Sequence, residues 1–206
     1  MASKKRLLYL ASFLKGYDCV LDIGTDHGFV LKEALDKGYI KKGIASDIGD
    51  KPLNQAKKNL KGYAVDFVQS NGFLNIEQPY DLVVIAGMGS HTIIDILSQE
   101  HDKKTYILQA NDKYDLLRTY LFEHGYQIID EEVIYDKFYY VIMKVSYGKQ
   151  DYLDEDIYVG PILKTKKSAS KYFKYQVQRY SHIIKQADKN TAEKYQKILS
   201  YYLKYL

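Results

Sequence analysis

A chain of 206 residues, 46% hydrophobic and 27% charged, has room for one full-sized domain and a small appendage, and enough apolar side chains to exclude disorder. The net charge of +4 is uneven: residues 161–206 hold 11 Lys/Arg against Asp188 and Glu193, a surplus of +9, leaving −5 over residues 1–160. One cysteine, Cys19, excludes an internal disulfide and a cysteine cluster, and no apolar run approaches the roughly 20 residues of a membrane-crossing helix. The expectation is a cytoplasmic protein, with no metal and no membrane span, whose basic tail meets a polyanion.

Lys4-Lys5-Arg6 followed by Leu7 to Leu14 has the order of a secretion signal, but Lys15-Gly16-Tyr17-Asp18 stands where small residues would be cleaved. Leu7, Leu10, Ala11 and Leu14 repeat at helical spacing, which predicts a surface helix capped by Ser3. Short β-rich runs then alternate with helical patterns. Strands are predicted at Cys19 to Asp22, Gly43 to Asp47, Asp66 to Gln69, Leu82 to Ala86 and Tyr106 to Gln109. Helices are predicted over 28–37, 51–61, 90–99 and 113–124, with Asp50 and Asp112 as caps and Gly38, Gly62 and Gly125 as stops. Two further strands, Ile128 to Tyr135 and Phe138 to Val145, have only Asp136-Lys137 between them and so pair antiparallel. Five βα units closed by an antiparallel hairpin predict a doubly wound α/β sheet of the Rossmann-like methyltransferase type.

Past Gly160-Pro161 the pattern changes. Phe173, Val177, Tyr180, Ile184 and Ala187 step by four or three, and Ala192, Tyr195, Leu199, Tyr202 and Leu206 resume the step after three polar residues. Two helices forming an antiparallel coiled-coil hairpin are predicted, with Asn190 and Glu193 as a capping box. The expected division is a catalytic domain over 1–148, a linker over 149–163 and a basic hairpin over 164–206.

The chemistry concentrates in Asp22-Ile23-Gly24-Thr25-Asp26-His27-Gly28. Gly24 lets the backbone bend toward a ligand and Gly28 lets the next helix pack closely. A dinucleotide loop has glycine where Asp26 stands, and a carboxylate there repels a diphosphate. S-adenosyl-L-methionine instead carries an amino group and a sulfonium, which Asp22 and Asp26 can pair. Asp47 ends the second strand, where it can accept from ribose hydroxyls. Asn71-Gly72 ends the third, with Asn71 placed for an adenine edge and Phe73 for its face. The predicted cofactor set is Asp22, Gly24, Thr25, Gly28, Asp47, Ile48, Asn71, Gly72, Ala86 and Gly87. Met88 and Gly89 open space for a flat base, and Gln109 and Asn111 can read its edge.

Asp22-Ile23-Gly24-Thr25-Asp26-His27, Ile85-Ala86-Gly87-Met88-Gly89, Leu108-Gln109-Ala110-Asn111, His124-Gly125-Tyr126 and Gly160-Pro161 together resemble the bacterial TrmK family of tRNA (adenine-22-N1)-methyltransferases across nearly the whole chain. The resemblance implies a Rossmann-like catalytic domain, a C-terminal coiled-coil hairpin, and methyl transfer from S-adenosyl-L-methionine to N1 of an adenine in the D-arm region of tRNA. The chain departs from the usual family pattern at Asn71, Ser90 and Ala110.

The N1 lone pair of a neutral adenine can attack the methyl directly, so the expected catalysis is positioning, with Asp26 stabilising charge or assisting proton loss and His27 orienting Asp26 or touching the substrate. N1 lies on the pairing edge, so the base must be unpaired or extruded. Lys164, Lys166, Lys167, Lys171, Lys174 and Arg179 are the expected phosphate clamp of a monomer. A small-molecule methyltransferase and a catalytically silent RNA-binding module on the same fold are the alternatives.

Overall fold

The computed structural model describes residues 4–99 and 102–206. The predicted Ser3 cap lies outside them. Seven strands form one sheet: β1 (Cys19–Ile23), β2 (Lys42–Asp47), β3 (Val65–Gln69), β4 (Leu82–Met88), β5 (Thr105–Ala110), β6 (Tyr126–Asp136) and β7 (Phe138–Tyr147). Their order is β3-β2-β1-β4-β5-β7-β6. Strands β1 to β5 pair parallel, and β7 runs antiparallel to both β5 and β6. This is the Rossmann-like methyltransferase sheet expected from the sequence.

Alternating side chains along the strands feed two cores. Val83 and Ile85 of β4, Tyr106 and Leu108 of β5, and Val141, Met143 and Val145 of β7 face one core. Leu82, Val84, Ile107 and Ile142 face the other. Helices α1 (Lys4–Ser12), α2 (Phe29–Asp36) and α3 (Asp50–Asn59) cover the second face through Leu10, Leu31 and Ala56. Helices α4 (Ser90–Leu97) and α5 (Tyr114–Glu123) cover the first through Ile93 and Leu117.

The stretch 149–163, read from sequence as a linker, contains helix α6 (Asp154–Val159) and runs into a 3-10 turn at Leu163–Thr165. Val159 and Leu163 are buried in the same core as the sheet, as are Tyr172 and Phe173 at the start of the hairpin helices α7 (Ser170–Gln186) and α8 (Lys189–Leu203). The hairpin's base thus continues the core that begins at β4. Its seam holds the predicted Tyr180, Tyr195 and Tyr202, with Tyr180 5.5 Å from Tyr195 and 5.7 Å from Tyr202 between ring centroids. Leu206 lies past the end of α8 and is exposed, so the seam stops short of it.

Gly38, Gly62 and Gly125 all take positive φ near helix ends, as expected. Three predicted caps are corrected. Asp50 is the first residue of α3, with Gly49 at the cap position. Asn190 lies inside α8, whose start is capped by Asp188 accepting from the Thr191 amide at 3.1 Å. Asp112 does not cap its own helix: its Oδ1 accepts from the Ser90 amide at 3.0 Å, capping α4 across space. The Ser90 hydroxyl answers by donating to the carbonyls of Asp112 (2.6 Å) and Lys113 (3.0 Å). Ser90 is fully buried and stitches two strand-end loops together.

Candidate active site

Parallel strands end on one edge of the sheet, and the acidic residues predicted from the first turn gather there. Asp22, one residue before the end of β1, is buried. Its side chain accepts from the Thr25 hydroxyl at 2.7 Å, and its carboxyl is pushed up to about 6, chiefly by burial, with the Thr25 bond opposing and the nearby Asp47 charge adding to the rise. The turn is held by Gly24 and Thr25 amides donating to the Ser46 carbonyl at 2.8 and 2.9 Å. Gly24 and Gly28 both take φ near +70°. A Cβ on Gly24 would lie 1.9 Å from the Met88 terminal methyl, and one on Gly28 would lie 2.5 Å from Leu60 Cδ1. Gly28 therefore permits close packing against Leu60, next to α3, rather than against the sheet.

Asp26 adopts a left-handed φ of 51°, which turns its exposed carboxylate out of the loop. His27 Nε2 stands 3.5 Å from Asp26 Oδ2, and the His27 ring stacks on Phe29 at 5.4 Å. Asp47, ending β2, accepts from the Asp26 amide at 3.1 Å and the Gly49 amide at 2.9 Å through different oxygens. Each oxygen keeps a further lone-pair site, so the carboxylate can still take two donors. Ile48 beside it projects an exposed apolar side chain.

Asn71 is exposed at the end of β3 and Gly72 follows with φ 64°. Phe73, expected against an adenine face, is buried in the core with Ile85 and Ile93. The Gly72 turn sends it inward while its amide donates to Gln99 Oε1 at 2.7 Å. In β4 the pairing register slips between Ala86 and Met88. Gly87, at φ 81°, is the extra residue of this bulge, and it re-aims Met88 and Gly89 at the edge.

Gln109 is not available to a base. It is fully buried, its Nε2 donates to the Ala110 carbonyl (2.6 Å) and Asn111 Oδ1 (3.2 Å), and its Oε1 accepts from Arg6 Nη1 (3.0 Å). Asn111 stays exposed, with its Nδ2 donating to the Gly87 carbonyl at 2.7 Å and its amide to the Met88 carbonyl at 2.8 Å.

A glycine turn framed by Asp22, Asp26 and Asp47 thus stands beside the bulged Gly87-Met88-Gly89 end of β4. The family model for tRNA (adenine(22)-N(1))-methyltransferase, TrmK, matches residues 20–204. The chain belongs to the TrmK family.

Among relatives, the tRNA (adenine(22)-N(1))-methyltransferase of Bacillus subtilis strain 168 is 29% identical over 181 residues, covering 80% of this chain and 76% of its own length. M. capricolum TrmK, solved with the cofactor product S-adenosyl-homocysteine, is 28% identical with a TM-score of 0.83, covering 97% of this chain and 96% of that one. A Streptococcus pneumoniae protein solved in complex with S-adenosyl-L-methionine is 25% identical with a TM-score of 0.85, covering 99% of each chain.

For a TrmK member, two of the expected clamp lysines are misplaced. Lys164 pairs with Asp156 at 2.6 Å and Lys166 with Asp130 at 2.5 Å and Glu132 at 2.6 Å, each side chain less than a quarter exposed. Lys166 fastens the hairpin's base to β6, and Lys164 ties it back to α6. Lys167, Lys171, Lys174 and Arg179 are exposed, Arg179 lying over the Tyr180 ring at 5.4 Å. Sequence reasoning missed Arg6. It reaches from α1 to the strand ends, bonding Gln109 through Nη1 and lying 5.2 Å over the Tyr140 ring. Its only sequence signal was membership of a basic N-terminal run.

Proposed function

We propose that this chain transfers the methyl group of S-adenosyl-L-methionine to N1 of adenine 22 of tRNA, acting as a cytoplasmic monomer without a metal. The observation that carries the reading is the acidic strand edge: a buried Asp22, an outward Asp26 and an Asp47 with spare acceptor capacity, around a positive-φ glycine turn. That donor set fits the cofactor. Asp22 and Asp26 oppose its positive charges, Asp47 suits a ribose diol, and the glycines with Thr25 leave the backbone close to the ligand. Ile48 and Asn71 then flank the adenine, with Gly72 and Ala86 shaping the walls.

When bound, S-adenosyl-L-methionine supplies an electrophilic methyl group. The protein's part is geometric and electrostatic. Gly87, Met88 and Gly89 leave a slot in which the target base lies with N1 toward the methyl. Asn111 borders that slot, and Gln109 positions Asn111 and Arg6 from behind. As N1 forms its new bond the adenine ring becomes cationic, and the Asp26 carboxylate, aligned by His27, stabilises that charge or receives the N6 proton. The N1 lone pair of neutral adenine is already nucleophilic, so the chemistry calls for no metal. No helix among the described residues is long and apolar enough to cross a membrane.

The test is to incubate the protein with labelled S-adenosyl-L-methionine and unmodified tRNA, then digest to nucleosides. Labelled 1-methyladenosine is expected, and it should vanish when adenine 22 is replaced by guanine. Absence of labelled 1-methyladenosine from the native tRNA overturns the reading.

A further inference from the structure

One wide groove of the protein is lined by none of Asp22, Asp26 and Asp47. It lies between the β6–β7 hairpin and the α7–α8 pair, encloses about 1700 Å³, and meets the site at Arg6, Asn111 and Asp112. That exceeds the roughly 300–1,000 Å³ usual for a small-molecule pocket. Its size suits a stretch of polymer.

The lining is rich in aromatic rings and carries five cations, Arg6, Lys113, Lys137, Arg179 and Lys194, against three carboxylates, Asp112, Asp115 and Asp136. Tyr135 at the hairpin tip contacts Tyr139 at 4.9 Å between centroids, and Tyr139 contacts Tyr175 of α7 at 5.2 Å. The outer members of this row are half exposed, Tyr135 at 56% and Tyr175 at 48%, and Phe138 beside them is 69% exposed. Ring faces left in water next to each other mark a recognition surface more often than a packing remnant. Lys137, Arg179 and Lys194 line the same groove, and none of the three has an acidic partner within ion-pair distance among the described residues.

The groove is also coupled to the strand ends. The Arg6 amide donates to Asp136 Oδ2 at 3.1 Å and Lys5 Nζ to the Tyr135 carbonyl at 3.0 Å, which pins the hairpin tip to α1. The same Arg6 bonds Gln109, and a Cβ on Gly87 would lie 3.6 Å from its guanidinium. One arginine spans from Asp136 and Tyr140 of the hairpin to the Gly87 bulge.

We propose that this groove holds unpaired tRNA nucleotides flanking the target adenine, their bases stacked on Tyr135 and Tyr175 and their phosphates on Lys137, Arg179 and Lys194. The inference rests on the tRNA methyltransferase reading above. Single-stranded RNA is recognised by aromatic faces interleaved with cations, and stacking neighbours there leaves the target base free to leave its own stack. The occupant is thus a nucleic acid strand; an acidic peptide would match the cations but leave the tyrosine faces unused.

The test compares full-length variants. Tyr135→Leu with Tyr175→Leu keeps apolar bulk and removes both π faces; Tyr135→Phe with Tyr175→Phe keeps the faces. Binding of unmodified tRNA should weaken roughly 10-fold or more per ring in the leucine pair, with KM for tRNA rising, kcat at saturation held, and S-adenosyl-L-methionine affinity and melting temperature near wild type. The phenylalanine pair should bind tRNA as wild type does. Equal loss in both pairs, or none in the leucine pair, overturns the proposal.

As an independent readout, Lys137→Gln with Lys194→Gln should reduce the slope of log affinity against log salt by about 1.4, the single-strand value for two phosphates. An unchanged slope overturns the proposal as well. Because tRNA binding is measured without turnover, a wild-type protein that binds through these residues yet yields no 1-methyladenosine would sink the catalytic reading and leave the groove standing.

Discussion

The Arg118 guanidinium meets the Glu131 carboxylate at 2.9 Å with neither side chain exposed to solvent. Arg118 Nη1 also donates to the carbonyls of Ile157 and Tyr158 at the end of α6, while Glu131 Oε2 accepts from the amides of Ile162 and Leu163. One buried pair thereby ties α5 and β6 to the segment entering the hairpin. Removing one partner strands a buried charge. Arg118→Leu should cost roughly 3–5 kcal/mol and lower the melting temperature by about 10 °C. Gly160→Ala should act in the same direction, since its Cβ would lie 2.5 Å from Glu131 Oε2 at a φ of 91°. A calorimetric scan showing wild-type melting for both would refute the role given to the pair.

Asp22 should make cofactor binding pH-dependent. Its folded carboxyl, at about 6 against an ordinary 3.8, holds its proton more tightly than in the unfolded chain. The stability this contributes is full below 3.8 and is lost as pH rises through about 6, a swing of roughly 3 kcal/mol. A cation bound beside Asp22 favours the ionised form, so affinity for S-adenosyl-L-methionine should climb with pH up to about 6 and then level off. Titration calorimetry from about pH 5 to pH 8 measures it. Asp22→Asn should flatten the curve; a flat curve in the wild type would mean that Asp22 does not face the cation.

The Asp26 amide is held by Asp47, but its exposed carboxylate meets only His27 among the described residues. Asp26→Asn should therefore leave melting unchanged, weaken cofactor binding by removing one of the two carboxylates that oppose its charge, and lower kcat at saturating cofactor roughly 100-fold, as loss of one charge-stabilising group does. Single-turnover methylation at saturating cofactor gives the number. Full activity in the asparagine variant would remove Asp26 from the chemistry.

The basic residues divide by partner. Lys171→Gln and Lys174→Gln should each lower the salt slope of tRNA binding by about 0.7–0.9 without loss of melting temperature. Lys164→Gln and Lys166→Gln should do the reverse, destabilising the fold and leaving the slope alone. A salt titration over the four variants separates the groups, and a uniform response across them would contradict the division.

Much of this was written in local sequence. The central strands β1, β4 and β5 were legible as short apolar runs, and Asp136-Lys137 is too short for anything but a hairpin between β6 and β7. The first turn was legible because Gly24, Gly28 and Asp26 are constrained by their own backbone. What stayed hidden depends on partners far along the chain. Lys166 reads as a free cation until folding brings Asp130 and Glu132 to it across 36 and 34 residues. Gln109 reads as a base-reading amide until Arg6, 103 residues earlier, claims its oxygen. Asp112 has the form of a cap for α5 and spends it on α4. Phe73 was misplaced because the Gly72 turn, not the side chain's chemistry, decides which way it points.

The mutual bonds of Ser90 and Asp112 carry a dynamic consequence. The loops after β4 and β5 flank the expected base slot, and neither can open without breaking the other's hydrogen bonds. They form one unit of local unfolding. Their amides, around residues 89–91 and 111–114, should exchange with deuterium at a common rate, and Ser90→Ala should accelerate both stretches together.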